Sequence, residues 1–492
     1  MVAARRSWPG KAVLAGGTVL WAFLSACLLV PQHADAAEAP AGRSVKNVIV
    51  MISDGCGFRH VEAAGLYTYG APGRCVYEAF PCHMAMKTDP MLRTDEGDAV
   101  PRGYDPQEAW AAFENVQHGY TDSAAAATAM AAGCKTTNGA IGVDPNGVPL
   151  RNVLARCEEL GMATGVVTSV PLSHATPAGF VAHNVSRGNY AAIAQEMILG
   201  SPIDCIMGCG HPWYNNSGRR LEAAAGYAYV GGAELWGDLV AGVTGAWDPV
   251  RNDANGDGRP SPGEWIDADH DGLADDVWTL VQSRDEFRRL MRGPTPERVI
   301  GVPRVRSTLQ CGRSGDADAA PCAVPFNEGV PTLAEMTRAA LNVLDDDPDG
   351  LFVMVEGGAV DSAAHGNWSG RMVEEQCDFN DAVAAAVEWV EARSNWEETV
   401  LIVTADHECG YLTAGPGVWA YEPLKSNGVG RLPEMAWNSG SHTNSLVPLY
   451  ARGAAAAGFA ARVIADDPHF GPYVDNTDVA NLIFAALGDP QD

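Results

Sequence analysis

The chain has 492 residues, 47% of them hydrophobic, so it can bury a large core and is not expected to be disordered. It carries 61 acidic against 33 basic residues, a net charge of −28, which argues against nucleic acid or an anionic membrane as the main partner. An acidic surface also repels anionic substrates, so an enzyme that acts on them needs local positive charge from metal ions or a buried arginine.

The N-terminus predicts export. A basic start is followed by an apolar run over residues 12–30 and by small residues up to Ala36, which is typical of a signal peptide spanning residues 1–36. Two alternatives stay open: a lipid anchor through Cys27, or an uncleaved run that just spans a bilayer. We therefore predict a periplasmic or extracellular protein with no stable membrane insertion after cleavage.

The cysteines suit an oxidising compartment, since eleven of the twelve lie beyond the predicted signal. Disulfides between Cys75 and Cys82, and between Cys311 and Cys322, would each close a short loop, although the sequence leaves the pairing open. Three other cysteines lie within the motifs described below and are expected to stay free: Cys56, Cys134 and Cys409.

Strands and helices alternate along the chain. Two alanine-rich stretches, 124–132 and 381–393, indicate helices. The alternation predicts an α/β fold over residues 45–492, with a central, mostly parallel sheet covered by helices on both faces. Ligands of such sheets collect at the carboxyl ends of the strands. Four short apolar runs are the predicted buried strands: 47–52, 165–168, 351–355 and 400–404.

Two segments interrupt this alternation. Residues 201–327 are rich in Gly, Pro, Trp and acidic residues, which predicts an insertion on the core and not a second catalytic domain. Residues 410–441 predict a shorter surface insertion.

Two motifs in the first half carry candidate catalytic residues. Asp54 follows the first strand, and Gly55 and Gly57 after it permit the tight backbone that a ligand loop needs, although such an aspartate can also be a simple helix cap. Ser123 begins an alanine-rich helix, where N–H groups and the helix dipole favour an anion. An ordinary N-cap serine is the alternative for Ser123.

Further motifs supply metal-ligand types at strand ends. Glu356 directly follows a buried strand, where a carboxylate is costly without a partner. Asp361 and His365 share one helical face at i and i+4, a spacing typical of metal ligands. An Asp-His pair recurs after the fourth strand, and a lone histidine follows near the C-terminus: Asp406, His407 and His442. Together these clustered ligands outweigh a purely structural interpretation.

In this order the motifs resemble the alkaline phosphatase family. The most specific stretch is Asp122-Ser123-Ala124-Ala125 followed by residues 133–144, and further matches run to His442. The resemblance implies a phosphate monoester hydrolase of broad specificity and alkaline pH optimum, with Ser123 forming a phosphoserine. Arg187 would bind two phosphoryl oxygens, since its planar fork matches them. A homodimer stays open.

The resemblance also implies two zinc ions and one magnesium ion. Imidazole ligands suit zinc and oxygen ligands suit magnesium. The implied ligand sets are Asp361, His365 and His442 for the first metal, Asp54, Asp406 and His407 for the second, and Asp54, Thr176 and Glu356 for the third. Three residues that would support these ligands depart from some family members: His174, Ser362 and Cys409.

Residues 253–278 add a second metal signature. An EF-hand-type calcium loop has oxygen ligands at its first, third, fifth and twelfth positions, and the first of two loops here matches that spacing. The second loop is incomplete because Trp278 occupies its twelfth position, and a solvated acidic loop is the alternative. The candidate calcium residues are Asp253, Asn255, Asp257, Arg259, Glu264, Asp267, Asp269, Asp271 and Asp275.

Two other functions stay open. A phosphodiesterase or sulfatase of the same superfamily would reuse the metal scaffold, although Ser123 and Arg187 favour monoesters. From a different class, the chain could be a non-catalytic, calcium-dependent surface protein. Purified protein that is inert with zinc and magnesium supplied would favour this non-catalytic alternative.

Overall fold

The computed structural model describes residues 42–244 and 277–489, and its central feature is a sheet of eleven strands. Two further sheets have two strands each. The strands are β1 (Asn47–Ile52), β2 (Cys82–Lys87), β3 (Met91–Arg93), β4 (Ala99–Pro101), β5 (Ala163–Pro171), β6 (Cys205–Cys209), β7 (Thr279–Val281), β8 (Val299–Gly301), β9 (Leu351–Glu356), β10 (Thr399–Thr404), β11 (Glu408–Cys409), β12 (His442–Thr443), β13 (Val447–Gly453), β14 (Ala465–Asp467) and β15 (Gly471–Asp475).

Seven neighbouring strands of the main sheet are parallel, in the order β10-β1-β9-β5-β6-β8-β7. Beyond β10 the sheet continues through β13, β2, β15 and β14. There β13 is antiparallel to both of its neighbours, and β15 is parallel to β2. The three central strands end level with one another, because Ile52 pairs with Glu356 on one side and with Thr404 on the other.

The central strands have the composition that a sheet covered on both faces requires. Every residue of β1, β9 and β10 is buried, and the three sequences are NVIVMI, LFVMVE and TVLIVT. β-Branched side chains fit the pleated surface, and a strand between two helical layers needs apolar residues at successive positions.

Helices form a layer on each face of the sheet. One layer is built around α9 and α11, the other around α3 and α5, and members of both layers contact β9. The helices are α1 (Phe58–Tyr69), α2 (Pro106–Ala109), α3 (Ser123–Ala132), α4 (Val153–Glu159), α5 (Ala175–Val181), α6 (Tyr190–Leu199), α7 (Ala233–Ala241), α8 (Arg284–Leu290), α9 (Leu333–Leu344), α10 (Ala359–His365), α11 (Ser369–Arg393) and α12 (Thr477–Ala486).

This architecture confirms the predicted fold class. All four predicted strands are present as β1, β5, β9 and β10, and α3 covers the first predicted helix. The second predicted helix is longer than expected, because α11 begins at Ser369 and not at residue 381. Its first turns bury polar side chains such as Glu375 and Gln376, so they lack the apolar pattern that predicts a helix.

The segment 201–327 differs from its prediction in one respect. Its described residues include β6, β7 and β8, which extend the main sheet and therefore belong to the core. These strands have only three to five residues, with glycine in two of them, so they are too short for a periodic signal. The interpretation of the remainder as an insertion stays a prediction, as does that of residues 410–441.

Neither proposed disulfide is formed, since every cysteine of the two described ranges is a free thiol. Of the second pair, Cys311 is buried whereas Cys322 is exposed. Within the same ranges no helix has both the length and the apolar character needed to cross a bilayer. The predicted signal peptide, Cys27 and the calcium-loop ligands lie outside the described residues.

Candidate active site

Three central strands bring acidic residues to one edge of the sheet. Glu356 is the last residue of β9, whereas Asp54 and Asp406 each lie two residues beyond a strand, β1 and β10 respectively. Because these parallel strands end level, their following residues converge where ligands of open α/β sheets bind.

The first group consists of Asp361, His365 and His442. Asp361 and His365 lie one turn apart on α10, and His442 comes from β12. The two histidine Nε2 atoms are 3.0 Å apart, and each lies 3.4 Å from an oxygen of Asp361. Ligands of a tetrahedral zinc ion are about 3.3–3.4 Å apart at normal bond lengths, so the spacing fits such an ion. The His365 side chain is 41% exposed, and the first group therefore opens to solvent.

The second group consists of Asp54, Asp406 and His407, whose side chains are 0% exposed. The Nε2 atom of His407 lies 3.4 Å from Asp54 Oδ1 and 3.2 Å from Asp406 Oδ2. Backbone N–H groups of Gly55 and His407 donate to the other Asp406 oxygen, at 3.1 and 3.0 Å. The His407 ring stacks on His442 with 3.6 Å between centroids, so the two groups adjoin.

The third group consists of Asp54, Thr176 and Glu356, all of which are buried. Thr176 lies on α5, and the Thr168 hydroxyl donates to Glu356 Oε2. A ring nitrogen of His174 also lies within 4.8 Å of carboxylate oxygens of Asp54 and Glu356. The sequence predicted oxygen ligands alone for this group, with His174 in a supporting position, whereas the structure brings a ring nitrogen of His174 into the same cluster of possible ligand atoms.

Burial and mutual repulsion dominate the electrostatics. Burial, followed by the charge of Asp406, raises the pKa of Asp54, and burial raises the pKa of Glu356 to about 7 and that of Asp406 to about 6. Burial also raises the pKa of Asp361, but the hydrogen bond and charge of His442 outweigh it and leave that pKa well below its usual range. The cluster therefore holds more negative charge than its surroundings compensate.

The residues present fit divalent metal ions. Both oxygens of Asp54, Oε1 of Glu356 and Oδ2 of Asp406 are buried and make no hydrogen bond within the described ranges. Buried carboxylate oxygens without partners are costly, and metal ions satisfy them. The donor types agree, because imidazole with carboxylate is typical of zinc and oxygen-rich sites are typical of magnesium.

Ser123 lies at the start of α3, directly against the second group. Asp122 caps this helix by accepting a hydrogen bond from the backbone N–H of Ala125 at 3.0 Å. The Ser123 hydroxyl oxygen lies 3.3 Å from His407 Nε2, the atom that also faces Asp54 and Asp406. A buried hydroxyl at a helix N-terminus and beside a candidate metal site can act as a nucleophile.

Arg187 is fixed beside this serine. Its Nη1 donates to Asp122 Oδ2 at 3.1 Å, and its Nη2 lies 3.4 Å from His174 Nε2. Burial lowers the pKa of the guanidinium, but the charge of Asp122 outweighs burial and raises it overall, so Arg187 stays positive. It supplies the local positive charge that an acidic protein needs in order to bind an anionic substrate.

Several supporting residues were missed or only partly recognised from the sequence. Asp122 belongs to the most specific sequence motif, but its contacts with both α3 and Arg187 are visible only in the tertiary structure. The Thr168 hydroxyl donates to Glu356, and the Thr443 hydroxyl donates to Glu408. Nothing in the sequence around Thr168 or Glu408 predicts these buried contacts. Ser362 lies half-buried next to Asp361 and outside the three groups, whereas Cys409 lies within 4.8 Å of the first group.

Fold and site together define a metal-dependent hydrolase. A family model described as alkaline phosphatase matches residues 45–225 and 257–435. The chain therefore belongs to the alkaline phosphatase family, whose substrates are phosphate monoesters.

The sequence matches to individual relatives cover nearly the whole chain. Alkaline phosphatase 3 of Bacillus subtilis (strain 168) is 26% identical, and the match covers 93% of this chain and 92% of that protein. Streptomycin-6-phosphate phosphatase of Streptomyces griseus is 28% identical over 96% of this chain and 97% of its own. The crystal structure of Thermus thermophilus alkaline phosphatase has a TM-score of 0.61 at 20% identity, covering 95% of this chain and 97% of that one, which supports the fold alone.

Proposed function

We propose that this chain is an alkaline phosphatase that hydrolyses phosphate monoesters through a covalent phosphoserine on Ser123. The observation that carries the proposal is the position of the Ser123 hydroxyl, 3.3 Å from His407 Nε2 and at the N-terminus of α3. Phosphatase activity of the family agrees with it. The alternative that Ser123 is an ordinary N-cap is wrong, because Asp122 caps α3, and capping therefore does not explain why Ser123 faces a cluster of metal-ligand types.

Two zinc ions and one magnesium ion complete the proposed site. When bound, the ions supply Lewis-acid stabilisation of negative charge on the reacting oxygens. The proposed ligands are Asp361, His365 and His442 for the first zinc, Asp54, Asp406 and His407 for the second, and Asp54, Thr176 and Glu356 for magnesium.

In the first proposed step, the Ser123 hydroxyl gives its proton to solvent and its oxygen attacks phosphorus. The bond from phosphorus to the ester oxygen breaks, and that oxygen takes a proton from solvent and leaves as the alcohol through the solvent-exposed side marked by His365. In the second step water gives up one proton to solvent and attacks the phosphoserine. The bond from the Ser123 oxygen to phosphorus breaks, that oxygen takes a proton from solvent, and inorganic phosphate leaves. Helix α3 directs its N-terminal N–H groups at the phosphoryl group in both steps.

Arg187 sets the proposed preference for monoesters. Its two terminal nitrogens would donate to two phosphoryl oxygens, and Asp122 holds the guanidinium in place from behind. A diester has only two unesterified oxygens, so binding both to the arginine leaves its second alcohol group in the buried site. Broad specificity for the leaving alcohol and an alkaline pH optimum are also part of the proposal.

The remaining proposals concern location and accessory binding. We propose export to the periplasm or cell exterior, tested by fractionation and N-terminal sequencing of the mature chain, with an anchored form through Cys27 as the contrary outcome. We also propose that residues 253–278 bind calcium and stiffen that segment. Unchanged proteolysis and melting temperature in a calcium-selective chelator would contradict this.

The decisive test is hydrolysis of matched aryl phosphate monoester and diester substrates at alkaline pH, with zinc and magnesium supplied. We expect wild type to prefer the monoester and Ser123→Ala to lose more than about 99% of that activity, consistent with removal of a nucleophile. Ser426→Ala is the matched control, because Ser426 is exposed and its hydroxyl bonds only backbone groups of the described residues, the Gly70 carbonyl and the Gly428 N–H. A diester preference, or Ser123→Ala activity near wild type, would overturn the proposal.

A further inference from the structure

Cys409 lies against the first group through the short β11–β12 ladder. Cys409 pairs directly with His442 in this antiparallel ladder, and directly opposed residues project their side chains to the same face of a sheet. The backbone N–H of Cys409 donates to the Gly55 carbonyl at 3.0 Å, which fixes the strand to the loop that carries Asp54. The residue is 0% exposed.

The histidines of the first group direct lone pairs at a common point. His365 Nδ1 lies 2.8 Å from the Gly440 carbonyl, and His442 Nδ1 lies 2.9 Å from the Thr121 carbonyl. A carbonyl only accepts hydrogen bonds, so each neutral ring carries its proton on Nδ1 and has a lone pair on Nε2. Those Nε2 atoms face each other at 3.0 Å, an arrangement that a cation between them satisfies.

The Cys409 thiol lies close to the ligand atoms of the first group. Sγ of Cys409 lies within 4.8 Å of an oxygen of Asp361 and of ring nitrogens of His365 and His442, and these atoms all lie within that distance of one another. Sulfur bonds zinc at about 2.3 Å and nitrogen at about 2.0–2.1 Å, so ligand atoms of one ion are about 3.5 Å apart. The limit of 4.8 Å exceeds that spacing, so metal binding would draw the thiol and the other three side chains closer together.

We propose that Cys409 is a fourth protein ligand of the zinc ion held by Asp361, His365 and His442, an ion that would then take a reacting oxygen as its fifth ligand. This inference rests on the metal binding in the proposed function and goes beyond the supporting position that the sequence suggested for Cys409. The zinc–sulfur bond forms as the thiol proton leaves to solvent. A thiolate is a soft ligand, so this site selects zinc over magnesium, and its metal content depends on a residue open to oxidation.

The test is zinc K-edge X-ray absorption of the zinc-loaded full-length protein. We expect a sulfur shell at about 2.3 Å in wild type that disappears in Cys409→Ser. Cys134→Ser, which changes an exposed thiol, is the matched control and should retain the shell. In competition with a chelator, Cys409→Ser should release one zinc ion about tenfold more readily, the lower end of effects expected for groups around a metal site.

The outcomes separate this inference from the function on which it rests. A zinc-loaded wild type with only nitrogen and oxygen neighbours overturns the ligand role and leaves the phosphatase proposal intact, with the thiol then a hydrogen-bond donor to Asp361. A wild type that binds no zinc contradicts the proposed function itself. A sulfur shell that persists in Cys409→Ser also overturns the proposal. If that variant fails to fold, the wild-type spectrum alone decides.

Discussion

Replacing Asp122 tests how the site is held together, because this one carboxylate accepts three hydrogen bonds. The donors are the backbone N–H groups of Ala125 and Gly139, each at 3.0 Å, and Arg187 Nη1 at 3.1 Å. Loss of a helix N-cap costs about 1 kcal/mol, and the bond to Gly139 contributes about as much. The ion pair is partly exposed, at 26% and 19%, so we assign it at most about 1 kcal/mol.

Asp122→Ala should therefore lower the free energy of unfolding by about 2–3 kcal/mol, which corresponds to a melting-temperature decrease of several degrees. Asp122→Asn is the matched variant, since asparagine caps helices as well as aspartate and should retain at least half of that stability. Both variants remove the charge that fixes Arg187, so the inhibition constant of inorganic phosphate should rise about tenfold in each, or about 1.4 kcal/mol.

The assays are thermal unfolding of both variants and competitive inhibition of aryl phosphate hydrolysis by inorganic phosphate. Equal destabilisation by Asn and Ala would refute the capping argument. An unchanged phosphate inhibition constant in both variants would refute the role of Asp122 in positioning Arg187.

Gly55→Ala should lower the free energy of unfolding by about 2 kcal/mol and reduce the zinc content measured by metal analysis. The reason is that Gly55 has a φ of +74° and an added Cβ would lie 2.8 Å from Asp361 Oδ1. A zinc content equal to that of wild type would contradict this. Removal of metal by a chelator at pH 8 should lower the melting temperature by about 5 °C or more, with recovery on adding zinc, since the ions stabilise only the folded state; an unchanged melting temperature would argue against metal binding. Burial, followed by the charge of Asp378, raises the pKa of Glu375 to about 8 in the folded protein, above its value in the unfolded chain. The contribution of protonated Glu375 to the stability of the folded state is therefore present at low pH and is lost as the pH rises through 8. Relative to wild type, Glu375→Gln should thus gain about 3 °C more at pH 9 than at pH 5, and a pH-independent difference would refute the assignment.

Much of the fold could be predicted because the central strands have a characteristic local amino-acid composition. Runs such as 47–52 and 400–404 consist mostly of Val, Ile and Leu, a composition typical of a buried parallel strand. Strands β6, β7 and β8 were missed because three to five residues cannot establish a period. The start of α11 was missed because buried polar residues there depend on distant partners, as Glu374 does on Arg313.

By itself, the sequence determined the fold class, the residue types of the candidate site and the family, because strand composition and the order of short motifs are local properties. Only the tertiary structure decided which of these residues meet. It placed Ser123 against His407, and Asp122 behind Arg187. It also placed His174 among the third group and Cys409 beside the first. Such neighbours come from different strands and loops, so their contacts depend on how the sheet and its two helical layers pack, which no local pattern of residues encodes.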